Sequence, residues 1–155
     1  MSQPTLTCEG IAVTLAAILQ ALPGVTTFNR RLRHWSDVTP EETPAAFLSV
    51  GHQALQNDDS GAPVRTRFDY LIDLYVDSQD PTTAPSTLLN TYLEMIKTAI
   101  LPVSSGGPPG FPGTVQVLGD TTGRLRHAWI VGVDTDEGVL GSRAIANVHI
   151  EVLLV

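Results

Sequence analysis

Several features that would assign the chain to a functional class are scarce or missing from this sequence. The single cysteine, Cys8, excludes a disulfide within the chain, and the single lysine, Lys97, stands beside eight arginines. No apolar run approaches the roughly 20 residues of a transmembrane helix, and the N-terminus lacks a signal-peptide pattern. We therefore expect a protein without a membrane partner, used in a cytoplasm or in a particle assembled there.

Sequence signatures of catalysis and of metal binding are also missing. The chain has no G-x-S-x-G elbow, no Walker loop and no G-x-G-x-x-G. Cys8 and the four histidines lack metal-ligand spacing, although His127 and His149 lie on predicted strands that could pair. Segment 134–138 is like a calcium loop, but its glycine comes one residue early and Ile145 replaces the closing glutamate. We predict no catalytic residue, no metal site and no cofactor.

The charge balance argues against a protein that binds nucleic acid by neutralising phosphates. The net charge is −7 over 155 residues, whereas phosphate binders carry the opposite sign. The abundance of arginine over lysine has two readings: a GC-rich gene, or a protein–protein interface, where arginine is enriched and lysine depleted. The hydrophobic fraction of 43% suffices for one core, so we expect a single domain over residues 1–155.

Apolar periodicity predicts two helices. The first has a stripe at helical spacing, begins near Pro4 and ends at Pro23-Gly24. The second covers 86–101, where Glu94 and Lys97 can pair one turn apart. The stripes consist of Ile11, Leu15, Ile18, Leu19 and Leu22 in the first helix, and of Leu89, Leu93, Ile96 and Ile100 in the second.

Alternation of apolar and polar residues predicts the strands. They cover 25–31, 45–50, 65–77, 114–118, 125–133 and 143–155. Loops are predicted at 36–44 and 53–63, hairpin-type connections at 119–123 and 134–138, and a Gly/Pro-rich loop at 104–113. The order predicts an α+β fold, with a mostly antiparallel sheet and two helices packed on one face. The other face is half polar, and so is available to solvent or to a neighbouring subunit.

Two groups of charged residues are candidate contact sites. Arg30, Arg31 and Arg33, with Trp35 beside them, form the only basic cluster. It is a solvated strand end, a phosphate contact or a subunit interface, and the interface is favoured because the chain as a whole is acidic. Asp69 and Asp73 project from one strand face about 13 Å apart, too far for a coupled carboxylate pair.

Local patterns along nearly the whole chain match those of one protein family. They are 15–22 followed by Pro23-Gly24-Val25, then Phe28-Asn29-Arg30, the alternating strand 67–77, Val117-Leu118-Gly119-Asp120, Ala128-Trp129-Ile130-Val131-Gly132, Asp136-Glu137-Gly138 and the terminal strand 144–155. In these respects the chain resembles the tail terminator proteins of long-tailed bacteriophages. The loop at 104–113 does not match the family pattern.

The resemblance implies a virion protein assembled in the bacterial host cytoplasm. Such a protein forms a homo-hexameric ring that caps the tail tube and provides the surface joining tail to head. Its partners would be further copies of itself, the tail tube protein and the head–tail connector proteins, with DNA passing through the lumen without specific binding. Within this scheme the candidate lumen wall is Asp69, Asp73 and Asp77, and the candidate partner-docking loops contain Gly107, Phe111, Asp136 and Glu137.

Two other functions fit the sequence less well. One is a different neck protein of the same particle, such as a head–tail connector or adaptor. The other is a small monomeric binding module, which would have a concave apolar pocket. An enzyme is the least favoured, because the sequence shows no nucleophile with a matching base.

Overall fold

The fold is described from a computed structural model, which covers residues 4–104, 106, 113, 115–137 and 141–155. Two helices and seven strands make up this part of the chain, with two short 3-10 helices at Trp35–Asp37 and Pro40–Glu42. In chain order the helices and strands are α1 (Cys8–Gln20), β1 (Thr27–Asn29), β2 (Ala45–Asn57), β3 (Pro63–Asp77), α2 (Pro85–Ile100), β4 (Val103–Ser104), β5 (Val115–Gln116), β6 (Leu125–Glu137) and β7 (Arg143–Leu154).

Five strands form one sheet in the order β1-β2-β3-β7-β6. Every neighbouring pair is antiparallel except β1 and β2. The strands β4 and β5 form a separate two-stranded ribbon. Helices α1 and α2 share one apolar core with the same face of the sheet, which confirms the predicted α+β class.

The centre of the sheet is the antiparallel pair β3 and β7. In β3 the alternate residues Phe68, Tyr70, Ile72, Leu74 and Val76 are all buried under the helices. In β7 every second residue is likewise buried, and each of these except the last pairs with one of the β3 residues, as the alternation in its sequence predicts. Each buried apolar side chain of this size contributes about 1.5–3 kcal/mol, so this pair carries much of the burial that stabilises the fold.

Both helices bury the predicted apolar stripes except Leu22, which follows the end of α1 at Gln20 and is only partly buried. Thr7 caps α1, its hydroxyl accepting from the Gly10 N–H at 3.1 Å, so the helix begins later than the prediction near Pro4. The Tyr70 hydroxyl donates to the Cys8 carbonyl at 2.9 Å and ties α1 to the sheet. Burial raises the pKa of the Tyr70 phenol far above its usual value, so this donor keeps its proton.

The predicted loop over 53–63 is wrong for most of its length. β2 continues to Asn57 and pairs with β3 as a long hairpin, with a bulge between Val50 and Gln53. The turn itself is short: the Asp58 carboxylate accepts from the Ser60 and Ala62 N–H groups at 2.8 and 3.0 Å. Pairing with the regular strand β3 satisfies the β2 backbone, although the β2 side chains there are mostly exposed and polar.

The two hairpin-type connections were also misplaced. Residues 134–137 belong to β6, which continues to Glu137 because β7 pairs with it to the end. Residues 119–123 follow β5, which pairs with β4 and not with β6, so they do not join neighbouring strands. Predicted strand 114–118 is reduced to Val115–Gln116, and 25–31 to Thr27–Asn29. Most of the Gly/Pro-rich loop at 104–113 lies outside the described residues.

A buried carboxylate organises the turn that leads into β6. Asp120 is 1% exposed and accepts from the N–H groups of Leu125 and Thr122 at 2.8 and 2.9 Å. The preceding residues Leu118 and Gly119 both have positive φ. Burial raises the pKa of the Asp120 carboxyl, but these hydrogen bonds together lower it below the usual value.

We predict that Asp120→Ala lowers the free energy of unfolding by about 2–3 kcal/mol at neutral pH, because it leaves buried N–H groups without an acceptor. Since the folded-state pKa is depressed, the deficit relative to the parent is complete above the unfolded carboxyl pKa and shrinks as the pH falls through the folded value. Urea unfolding at several pH values measures this. Asp58→Ala, which removes an exposed carboxylate with similar bonds, is the matched control and should cost clearly less. Equal losses in the two variants would contradict the assignment.

Candidate assembly surfaces

The sheet face opposite the helices is the first candidate surface. At one end a small apolar cluster of Val38, Ala45, Phe47 and Tyr75 packs with Trp35, so the segment 30–44 covers that end. The rest of this face, here called the open face, carries side chains at alternate positions of β3, β7 and β6. The sequence predicted that this face is half polar and available to solvent or to a neighbouring subunit. The structure shows that one end of the face is covered by the chain itself.

One buried ion pair holds the covering segment on the sheet. The Arg143 guanidinium donates to Asp77 at 3.0 Å and to the Trp35 carbonyl at 2.8 Å, and its carbon lies 5.9 Å from the centre of the Trp35 ring. The Tyr75 hydroxyl adds a bond to the Arg33 carbonyl at 2.9 Å. The Asp77 side chain is only 3% exposed, so this carboxylate cannot face a lumen and drops out of the candidate wall.

The candidate interface arginines are mostly engaged within their own chain. Arg30 forms a two-pronged pair with Glu9, the longer bond being 2.9 Å. Arg33 pairs with Glu42 at 2.7 Å and also donates to the Asp37 carbonyl. This pairing, with the Thr39 N–H, lowers the pKa of Glu42 to about 2.

Arg31 is the exception among these arginines. Its side chain is exposed, and among the described residues no carboxylate pairs with its guanidinium. Its backbone N–H donates to the Asn29 side chain at 2.9 Å. Of the predicted interface cluster, Arg31 is therefore the cation that remains available to a partner.

Asp69 and Asp73 both lie on the open face. Asp69 contacts Arg67 at 3.5 Å, and Arg67 also lies 3.6 Å from Glu151 on the neighbouring strand. Burial raises the pKa of the Asp73 carboxyl, and nearby His149 partly offsets this. The middle of the face thus carries three carboxylates and one arginine, so it stays acidic in balance.

The candidate docking loops are only partly within the described residues. Gly107 and Phe111 lie outside them. Asp136 is exposed, but it belongs to strand β6 and not to a loop, and Glu137 is the last residue of the same strand. The acidic turn of the sequence is therefore an acidic strand end.

Sequence reasoning missed the second candidate surface, the outer edge of β6. Trp129 and Val131 are 43% and 57% exposed there, and the ring of His127 stacks on Trp129 at 3.8 Å. Beside this edge an apolar cleft opens between β6 and the end of α2, lined by Lys97, Ile100, Leu101, Ala128, Trp129 and Ile130. Large exposed apolar side chains beside a cleft are typical of a contact surface. Only the strand order, which the sequence does not reveal, places them at an edge.

Within the described ranges, no group of three His, Cys, Asp or Glu side chains is placed to hold a metal ion. His127 and His149 lie on different strands, and each has its own neighbour: His127 stacks on Trp129, and His149 lies 3.3 Å from Asp134. No helix in the described part of the chain is long and apolar enough to span a membrane.

Comparison with known proteins gives a likeness of fold. No protein-family model matches the chain, and no curated protein sequence matches it. Among solved structures, the fold is similar to a chain of one described as the virion of a native gene transfer agent particle. The TM-score is 0.54 at 10% sequence identity, and the match covers 97% of this chain and 98% of that chain.

We predict that Arg143→Met lowers the free energy of unfolding by about 3 kcal/mol, because it leaves the Asp77 carboxylate buried without its partner. The double variant Arg143→Met/Asp77→Leu should recover much of this loss, since it removes the unpaired charge. Thermal and urea unfolding measure both variants. The control is Arg126→Met, which removes an exposed arginine of β6. A double variant as unstable as the single one would show that the charge is not the cause.

Proposed function

We propose that the chain is a structural protein of a phage-like virion. The observation that carries this proposal is the fold likeness, which runs over almost the full length of both chains and so includes the sheet and both helices. The sequence resemblance to phage tail terminators points the same way and rests on different features, namely local residue patterns.

The finer proposal is a tail terminator: six copies close into a ring at the end of the tail tube. The same ring offers one surface to the tube protein and another to the head–tail connector proteins, and it is assembled in the bacterial host cytoplasm. A sheet with one face covered by helices and most of the other open suits this role. The helices supply each subunit with its own core, and the open face needs no cover if it lines a lumen.

The open face also has the charge that a DNA passage needs. DNA that must slide should not adhere, and carboxylates facing phosphates prevent adhesion. Asp69 and Glu151 lie on this face beside Arg67, and Asp73 lies on the same face, while Asp77 is paired with Arg143. We therefore place Asp69 and Asp73 on the lumen wall, with DNA as a passing partner that is not bound.

We predict that the purified protein forms closed six-fold rings, alone or on tail tubes. Native mass spectrometry and particle imaging over a range of concentrations measure the first case, and imaging after adding purified tubes measures the second. Rings at the tube ends support the terminator. Copies located within the head opening instead would favour a connector or adaptor, and a protein that stays monomeric even with tubes would favour a binding module.

We predict that Asp69→Lys/Asp73→Lys makes assembled rings retain duplex DNA. The change converts two repelling charges into two attracting ones per subunit, so retention should fall steeply as salt increases. Filter binding at several salt concentrations measures it. Glu41→Lys/Asp59→Lys makes the same charge change at exposed sites elsewhere, and the milder Asp69→Asn/Asp73→Asn tests the face if the lysines prevent folding. Equal retention by the lysine pair and its control would count against a lumen at this face.

A further inference from the structure

The sheet ends in two free edges within the part of the chain that the structure describes. On one side β6 pairs only with β7, so its outer edge is open along Leu125–Glu137. On the other side β1 covers only Ala45, Ala46 and Phe47 of β2, which leaves the rest of that edge open. Open edges of this length invite another strand, and proteins normally blunt them when no partner is intended.

The two free edges can be compared residue by residue, because the pairings across the sheet define rows that run from β2 to β6. The pairings in register form a row across the sheet that joins Val50, Tyr70, Ile150 and Ile130. A bulge interrupts β2 directly after Val50, and a bulge interrupts β6 directly after Ile130. Both edges therefore bend beside the same row. β6 also runs antiparallel to β2, because three antiparallel steps separate them.

At the level of β1, the β6 edge is acidic and the opposite edge of the sheet carries an arginine. Asp134 and Asp136 on β6 lie in the rows that contain Phe47 and Ala45, which pair with β1. Arg31 follows β1 on the opposite side of the molecule, with its guanidinium free of the ion pairs described above. A second copy placed edge to edge, with its strands in the same direction, brings Asp134 level with Asn29, two residues before Arg31, and Asp136 level with Thr27.

The apolar parts of the two edges also correspond. Val50 is 40% exposed at the β2 edge and points to the helix-covered face, as its pairing with buried Tyr70 requires. In the same row of β6, Ile130 lines the apolar cleft beside α2. Leu101, which is 61% exposed, lines the same cleft. A β2 edge laid against β6 at matched level would fill this cleft with Val50.

We propose that the β6 edge of one copy pairs with the open part of the β2 edge of the next, antiparallel and head to tail, with Val50 in the cleft at Ile130 and Asp134 near Arg31. The contact uses a different surface on each partner, so repeating it gives a ring when the rotation between copies closes and an open filament when it does not. The inference rests on the proposed ring and adds the surfaces that form it. It also explains why exposed Trp129 and Val131 lie at the β6 edge, since aromatic side chains are enriched at interfaces.

The test is a pair of cysteines across the predicted contact, in a Cys8→Ser background. Val50→Cys/Ile130→Cys should give, under mild oxidation, a ladder of cross-linked species on a denaturing gel, because directly opposed residues of antiparallel strands lie within disulfide reach. Each single variant should give no ladder. A dimer from Ile130→Cys alone would show that two β6 edges meet about a two-fold axis, and would overturn the proposal.

Charge reversal supplies a second measurement that does not depend on disulfide geometry. Arg31→Glu and Asp134→Arg should each weaken self-association by roughly tenfold or more, since each puts like charges together. The combined variant should restore it to near the parent level. Analytical ultracentrifugation measures all three, and a combined variant no better than the single ones would contradict the contact.

The outcomes separate this inference from the proposed function. Six-fold rings whose cysteine pair does not cross-link would leave the ring standing and overturn the edge contact. Cross-linked ladders that never close would support the contact and count against the ring. Absence of both rings and ladders at high concentration, with and without tail tubes, would overturn both.

Discussion

Two helices cannot cover both faces of a five-stranded sheet, and most of this structure follows from that constraint. One face is sealed by α1 and α2 into the apolar core. The other must be handled differently, and the chain covers one end of it with a short segment that carries few apolar side chains. That cover depends on the buried pair of Arg143 and Asp77 and on the Trp35 carbonyl. Hydrogen bonds and an ion pair therefore hold this segment on the sheet alongside its small apolar contact.

The same constraint leaves a charged face that the monomer does not need. Asp73 shows this most clearly. Its carboxyl is half-buried, and this burial raises its pKa, so keeping it ionised at neutral pH costs stability. Residues that cost stability at an open surface are candidates for function. A passage for DNA gives such a carboxylate a use, because repulsion of phosphate is then an advantage.

Edges impose the second constraint. A sheet that ends in unpaired strands must blunt them or pair them. Here bulges interrupt both edges at the same level, and the apolar side chains remain exposed beside them. A bulge by itself can blunt the free edge of a monomer, so the feature that favours pairing is the exposed apolar side chains beside the bulges. A head-to-tail assembly accounts for the edges, the cleft at α2 and the free Arg31 together, and it leaves the open face to line the interior.

Much of the fold was readable from local pattern. The alternation in 65–77 and 143–155 and the helical stripes, apart from Leu22, were predicted correctly, because each depends on residues near in sequence. The α+β class followed from their order. The extension of β2 to Asn57 was not predictable, since its residues are mostly polar and exposed and only pairing with β3 makes them a strand.

The sites divide in the same way. The sequence by itself determined that the chain is acidic, that Asp69 and Asp73 share one strand face, and that no catalytic motif is present. Tertiary structure alone decided that Asp77 is buried and paired with Arg143, 66 positions away, and that Arg30 forms an ion pair with Glu9. It alone placed β6 at the edge. These facts depend on contacts between distant parts of the chain, and periodicity, which reports only a residue's own face, carries no information about them.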